Sequence, residues 1–451
     1  MIELPVDVLK LPAKWEIKPL KDVAELKRGL SWSKADETDE TGNLVISIPN
    51  IKEGWIDFES KFNHYLSIEI PESKRLKTGD ILCVGSSGSI QNVGRNSMVR
   101  WLPSADIAFA SFTFIISAKR SKIDNDFLYL LINSDIVPFH KFTKRAADGK
   151  YNFQLREFES YMRIPIPPLI EQQKIAHILG TVKKSLENQL KTIQTTYELK
   201  KSLIYSLFTN GTKGEKLKQT EIGMVPESWV VKPFESTGQV IYGIQAAVAN
   251  NLKPIGYKIL TNKNITIDGT LDLEKINYFQ PTSQKHFNTI LQKGDLLFNW
   301  RSGSKEHVGK TALFDLDNDA YVHSSFILRI RVNQNHNPRF LFYYLNYLRE
   351  IGYYQKVQTF SINAKFNKSA INAMPIALPN KEIQDSIAEA IEVVDKKLLN
   401  LKAIYDLKLK LFRTLLHDLM TGQRPVKDID FSIAEKGYEL TNIALSIAAE
   451  A

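Results

Sequence analysis

The chain has 451 residues, 43% hydrophobic and 10% aromatic, with 59 Lys and Arg against 50 Asp and Glu; this is the composition of a folded protein, not a disordered one. Its one cysteine, Cys83, excludes an internal disulfide and a cysteine-based zinc site, and points to the cytoplasm. The net charge of +9 favours an acidic partner such as nucleic acid.

At the N-terminus, residues 1–12 mix Glu3, Asp7 and Lys10 with apolar residues, so the segment lacks a signal-peptide layout and is expected to be retained. The longest uncharged stretch, residues 236–252, holds Gln239, Gln245, Asn250 and Asn251 and is too polar to span a membrane.

Pro12, Trp15, Lys18, Pro19 and Gly29 open a pattern that returns as Pro226, Trp229, Lys232, Pro233 and Gly243, each 214 positions later (226 minus 12). Gly79-Asp80 and Ser87-Gly88-Ser89 return at an offset of 215 as Gly294-Asp295 and Ser302-Gly303-Ser304. The chain therefore contains one internal repeat, and the drift in offset marks small insertions in loops. Both copies read as mixed α/β (α+β). β-Branched and aromatic runs cover residues 44–48, 80–84 and 108–117, then 295–300 and 321–332; helical patterns cover 126–134 and 338–349.

Each copy ends in a long heptad pattern. The first seam carries Ile175, Leu179, Val182, Leu186, Ile193, Leu203 and Leu207, and the second Ile387, Ile391, Val394, Leu398, Leu401, Tyr405, Phe412, Leu415 and Leu419. Pro168 and Gly211 bracket the first, Pro379 and Gly422 the second. Each helix is expected to run for about 37 residues, roughly 55 Å. An antiparallel pair of the two copies is the natural way to cover both seams; two independent core helices are the alternative. Gln189, Thr196, Lys200 and Lys408 interrupt the seam and would specify register.

The glycine loops do not fit a phosphate loop, because Gly303 and Gly309 enclose five residues, as do Gly88 and Gly94, where that motif needs four. A DNA-methylating motif, a nuclease carboxylate cluster and metal-ligand histidine spacing are likewise missing. What remains is binding. Lys141, Lys144, Arg145 and Lys150 are interleaved with Phe142 and Tyr151, and Lys356, Lys365 and Lys368 with Tyr353, Tyr354, Phe360 and Phe366, a pattern suited to phosphates and base faces. The serine-glycine loops add Ser86, Ser87, Ser89, Gln91, Asn92 and Arg95 in the first copy. The second copy supplies Asn299, Arg301, Ser302, Ser304, Lys305 and Lys310. Arg, Asn and Gln are bidentate base readers, while the glycines serve equally as turn residues.

The duplicated Pro-x-x-Trp starts, the Gly-Asp and Ser-Gly-Ser segments and the Ile164-Pro-Ile-Pro-Pro-Leu-Ile-Glu-Gln-Gln-Lys-Ile-Ala176 lead into the first helix resemble the specificity subunit of type I restriction-modification enzymes. The resemblance runs from Leu11 to about Gly422; the second lead, Met374 to Pro379 with Glu382 and Gln384, is looser. It implies two target-recognition domains, residues 1–168 and 211–378, each reading half of a split double-stranded DNA site. Spacer helices at 169–210 and 379–422 would form an antiparallel coiled coil with a pseudo-twofold relation, followed by a tail at 423–451. The helices would set the spacing and dock two copies of a DNA methyltransferase (modification) subunit, with restriction subunits joining the complex. No catalytic residue, metal or cofactor is expected in this chain. The rival readings are a coiled-coil adaptor that binds only proteins and a diverged DNA-modifying enzyme.

Overall fold

The computed structural model describes residues 11–212, 214–245, 252–253, 255–317, 320–357 and 366–426. Phe360, Lys365 and the tail from residue 427 onward lie outside these residues. The chain packs as two compact units, Met1–Lys191 with Ala403–Ala451, and Thr192–Lys402.

In the first unit one antiparallel sheet has the spatial order Ala24–Arg28, Thr113–Ala118, Ile81–Val84, Asn96–Met98. A second runs Glu37–Thr38, His64–Leu66, Asn43–Ile46, Ala108–Phe109, with the last pair parallel. Strand side chains alternate between faces, so the apolar run Ile81–Val84 is buried twice over. Ile81 and Cys83 pack towards the helix Asn125–Ile132 and the start of the first long helix. Leu82 and Val84 pack with Ile46 and Phe109 of the second sheet. The second unit repeats this plan. Its main sheet is Gly238–Tyr242, Ile327–Val332, Leu296–Asn299, Thr311–Leu313, and its second sheet ends in the parallel pair Tyr257–Leu260 and Tyr321–His323.

The single strands expected at 108–117 and 321–332 are each two strands. The chain leaves the smaller sheet after Phe109 and joins the larger at Thr113; after His323 it rejoins at Ile327. At these crossings Leu30 N–H donates to the Phe109 carbonyl (2.7 Å) and Ile244 N–H to that of His323 (2.9 Å). A Cβ on Gly29 would collide with the carbonyl of Ala110, and one on Gly243 with that of Ser324. Close backbone approach therefore accounts for the repeated glycine. The repeated Gly-Asp is a turn: Gly79 and Gly294 have φ of 98° and 92°, and Asp80 and Asp295 accept from the backbone N–H of Lys77 (2.8 Å) and Gln292 (2.7 Å).

The long helices span Leu169–Asn210 (42 residues) and Lys381–Thr421 (41 residues); the first starts directly after Pro168 and each runs up to its glycine. Gly211 and Gly422 adopt φ of 68° and 71°, the left-handed cap that a glycine accepts without strain. A buried glutamine fixes each helix start. Gln172 accepts from Asp124 N–H (2.8 Å) and donates to the Pro167 carbonyl (2.8 Å). Gln384 accepts from Asn337 N–H (3.0 Å) and donates to the Pro379 carbonyl (2.9 Å). The glutamines of the two helix leads thus tie helix to globular region.

Within the first unit Ile175, Leu179 and Val182 share a core with Leu411, Leu415 and Leu419, and Lys408 Nζ donates to Ser185 Oγ (3.0 Å) and Gln189 Oε1 (3.3 Å). Within the second, Ile204 and Phe208 share a core with Ile387 and Ile391, and Lys200 pairs with Asp395 (2.6 Å). Lys408 meets residues 185 and 189 whereas Lys200 meets 395, so the helices run antiparallel. The polar seam residues are satisfied side chains: Tyr343 also donates to Asp395 (2.7 Å), and Thr196 to the Thr192 carbonyl (2.7 Å).

Ile175, Leu179, Val182, Leu186, Ile387, Ile391, Leu398 and Leu419 are buried; Ile193, Leu207, Val394 and Tyr405 are half-buried. Near the end of the first helix the buried face moves one position on, to Ile204 and Phe208, as a 3.6-residue helix drifts from a 3.5-residue repeat. There Phe208 also packs on Phe340 (5.5 Å) and Tyr344 (5.2 Å) of the helix Pro338–Glu350.

Candidate nucleic-acid interface

The serine-glycine loops join two antiparallel strands. Val84 and Arg95 exchange backbone contacts at the neck of the first (Val84 N–H to Arg95 carbonyl 2.8 Å, Gly94 N–H to Val84 carbonyl 2.9 Å). Asn299, Lys310 and Gly309 close the second at 2.8 and 2.9 Å. At the tips Ser87 Oγ accepts from Ser89 N–H (3.2 Å) and Ser302 Oγ from Ser304 N–H (3.3 Å), and Ser89 donates to Gln91. Gly88 and Gly303 are exposed, and among the described residues a Cβ there would meet nothing within 4 Å, which leaves the backbone open to close approach.

In the first unit the structure joins two segments far apart in sequence. Thr143–Arg145 and Tyr151–Phe153 form a hairpin that adds to Ser86–Ser87, with Tyr151 opposite Ser87 and Asn152 opposite Ser86. Lys141, Lys144, Arg145 and Lys150 are all exposed. Lys144 pairs with Glu157 (2.5 Å) and Lys150 with Asp148 (3.7 Å), while the Arg145 guanidinium lies over the Tyr151 ring at 5.9 Å. Phe112, 57% exposed, flanks the same loop, its carbonyl accepting from Gly85 N–H (2.8 Å) and Ser86 N–H (3.2 Å).

In the second unit Phe366 N–H donates to the Trp300 carbonyl (2.7 Å), matching Phe153 N–H to Gly85 (2.8 Å) in the first. Lys356 is exposed, in the short helix Tyr353–Val357, and the half-buried Lys368 begins another, Lys368–Ala373. Lys305 is exposed on the loop. Arg301 lies over the rings of Phe326 (4.2 Å) and Trp300 (5.4 Å).

Three candidates face inward. Asn299 is fully buried and donates to the His307 carbonyl (2.7 Å). Lys310, 6% exposed, donates to the carbonyls of Asn262 (3.2 Å) and Ile265 (2.6 Å), and burial lowers its pKa. Ser86 is buried within the small sheet. These side chains brace the loop from inside. Arg95, Lys310's counterpart, does the same in part, donating to the Ile48 carbonyl (3.3 Å) and Asn92 Oδ1 (3.5 Å). The sequence reading missed Trp300, Phe326 and Phe112 as site residues; Phe112 and Phe326 are 214 apart, and that match was the available signal.

The described helices include none long and apolar enough to cross a membrane. The family model described as the type I restriction modification DNA specificity domain matches residues 12–195 and 249–408. A stretch of 186 residues is 30% identical to the MjaX specificity subunit of Methanocaldococcus jannaschii, covering 41% of this chain and 43% of that one. The type I restriction enzyme MjaVIII specificity subunit of the same organism is 24% identical over 435 residues, 94% of this chain and 96% of that one. The crystal structure of a type I restriction-modification system S subunit from M. genitalium shares the fold, with a TM-score of 0.55 at 12% identity over 93% of this chain and 98% of that one.

Proposed function

Because the chain belongs to the type I restriction-modification DNA specificity family, we propose that it is the DNA sequence-recognition subunit of such a complex. Each unit reads one half of a bipartite double-stranded site. The observation that carries this reading is a common frame with different contents. Both units present a serine-glycine loop from the same strand position, but Gly85 and Ser86 stand in the first where Trp300 and Arg301 stand in the second. A frame repeated with altered side chains suits two surfaces of one kind reading two different sequences.

The long helices set the distance between half-sites and dock two copies of the modification subunit, since a duplicated scaffold offers the same surface twice. The methyl donor and catalytic groups belong to that partner, and restriction subunits complete the assembly, so this chain is non-catalytic and works in the cytoplasm. The domains of this reading are residues 1–168 and 211–378, with spacer helices at 169–210 and 379–422 and a tail at 423–451. The proposed contact set is Ser87, Ser89, Gln91, Asn92, Lys141, Lys144, Arg145 and Lys150 in the first unit, and Arg301, Ser302, Ser304, Lys305, Lys356, Lys365 and Lys368 in the second, with Lys365 outside the described residues.

The test is duplex binding by the assembled complex across a salt series. Affinity is expected to fall steeply with salt, and Arg145→Ala to reduce the slope by about 1 if its guanidinium meets a phosphate. Salt-insensitive or absent DNA association by an intact complex would favour the protein-only adaptor.

A further inference from the structure

We infer that Arg301 reads a guanine in the half-site bound by the second unit, at one base pair that Arg301 alone decides; this rests on the recognition function proposed above. The guanidinium lies 4.2 Å over Phe326 and 5.4 Å over Trp300. Trp300 is itself fixed: its Nε1–H donates to the Ser325 carbonyl (2.7 Å) and its ring meets Tyr242 edge-on at 5.4 Å. The Trp300 carbonyl accepts from Phe366 N–H (2.7 Å). The planar group is thus held by aromatic faces, and among the described residues no hydrogen bond or ion pair is assigned to it. Its N–H fork remains available in a set direction.

That arrangement fits a base better than a phosphate. A phosphate can be met by charge alone, which the exposed Lys305 on the same loop supplies. Stacking restricts the rotamers of a long side chain before binding, which matters when two parallel N–H groups must meet two acceptors at once. Guanine offers such a pair, O6 and N7, on the major-groove edge, and arginine is its usual reader. The first unit has no counterpart. At the 215 offset (301 minus 86) stands the buried Ser86, and Gly85 replaces the tryptophan, although Phe112 keeps the aromatic position. Guanine reading from this place therefore belongs to one half-site only.

The experiment maps methylated sites genome-wide for complexes assembled from the modification subunit and either the unaltered chain, Arg301→Ala or Arg301→Lys. The unaltered complex is expected to require guanine at one position of one half-site. Arg301→Ala should relax that position by about 5- to 100-fold and leave the other half-site and the gap unchanged. Arg301→Lys keeps the charge but not the planar fork, and should relax the same position even if the alanine variant assembles poorly. Guanine retained in both variants would overturn the inference. So would uniform weakening at all positions, with a shallower salt dependence, which marks a phosphate contact. Failure of the underlying recognition reading would look different: the unaltered complex would itself show no split motif.

Discussion

Acid should open the second unit through His323, and His323→Phe should remove that sensitivity. His323 is fully buried, and burial together with the neighbouring Arg329 charge pushes its pKa from 6.5 to about 3. Its Nδ1 lies 3.3 Å from the Ile327 carbonyl, while Nε2 has no hydrogen-bond partner among the described residues. Below 6.5 the unfolded chain takes up a proton at this position that the folded chain refuses until about 3. Stability is therefore lost as pH falls through that window, by about 1.4 kcal/mol per pH unit. The equivalent residue in the first unit is Phe109, 214 positions earlier, so phenylalanine is a side chain this frame already accommodates. Hydrogen exchange of peptides from residues 321–332 is followed from pH 7 to 4.5 in the unaltered protein and in His323→Phe. Opening should rise with acid more steeply in the unaltered protein, by about a further tenfold for each pH unit. Equal pH dependence in the two proteins would mean that His323 is not held neutral.

The second large effect concerns the aspartate of each Gly-Asp turn. Asp295 is bound by Arg331 through two contacts of 2.7 and 2.8 Å, with its own side chain only 2% exposed. Asp80 has no such partner: at the 214 offset from Arg331 stands Ser117, whose hydroxyl donates to it at 2.6 Å. Burial raises the Asp80 pKa, so its ionised form is the costly one and an amide relieves that cost. Asp295→Asn leaves a guanidinium without its counter-charge beside the buried Arg329, and should destabilise the second unit by about 2–4 kcal/mol after allowance for the partial exposure of Arg331. Asp80→Asn should cost less than about 1 kcal/mol. Calorimetry of the two variants, with exchange data assigning each transition to its unit, measures the contrast. Equal losses would contradict the assignment of Arg331 as the source of the difference.

These asymmetries show which features a sequence exposes. The repeat is legible because Trp15 and Trp229 fill the core of their units and Gly29 and Gly243 sit where the backbone comes too close for a side chain, and the long helices because apolar residues at steps of three and four survive in both. The hairpin at 143–153 was legible only as a basic, aromatic stretch. Its pairing with Ser86–Ser87 joins segments distant in the chain, and no local pattern encodes such a contact. Asn299 and Lys310 resemble their exposed neighbours Ser302 and Lys305 in type, but they stand at the neck of the loop, where strand alternation and the close of the hairpin turn them inward. Arg301 was visible as a candidate, whereas the reason to single it out was not, because Phe326 reaches it from a distant part of the chain.

The proposed role of this chain is to decide which DNA sequence the complex modifies. It is tested most directly by mapping methylated bases across a genome by single-molecule sequencing, with the modification subunit expressed with and without this chain. A split motif of two half-sites at a fixed gap, present only with the chain, is expected. Random, continuous or absent methylation from a confirmed complex with active modification subunits would contradict it.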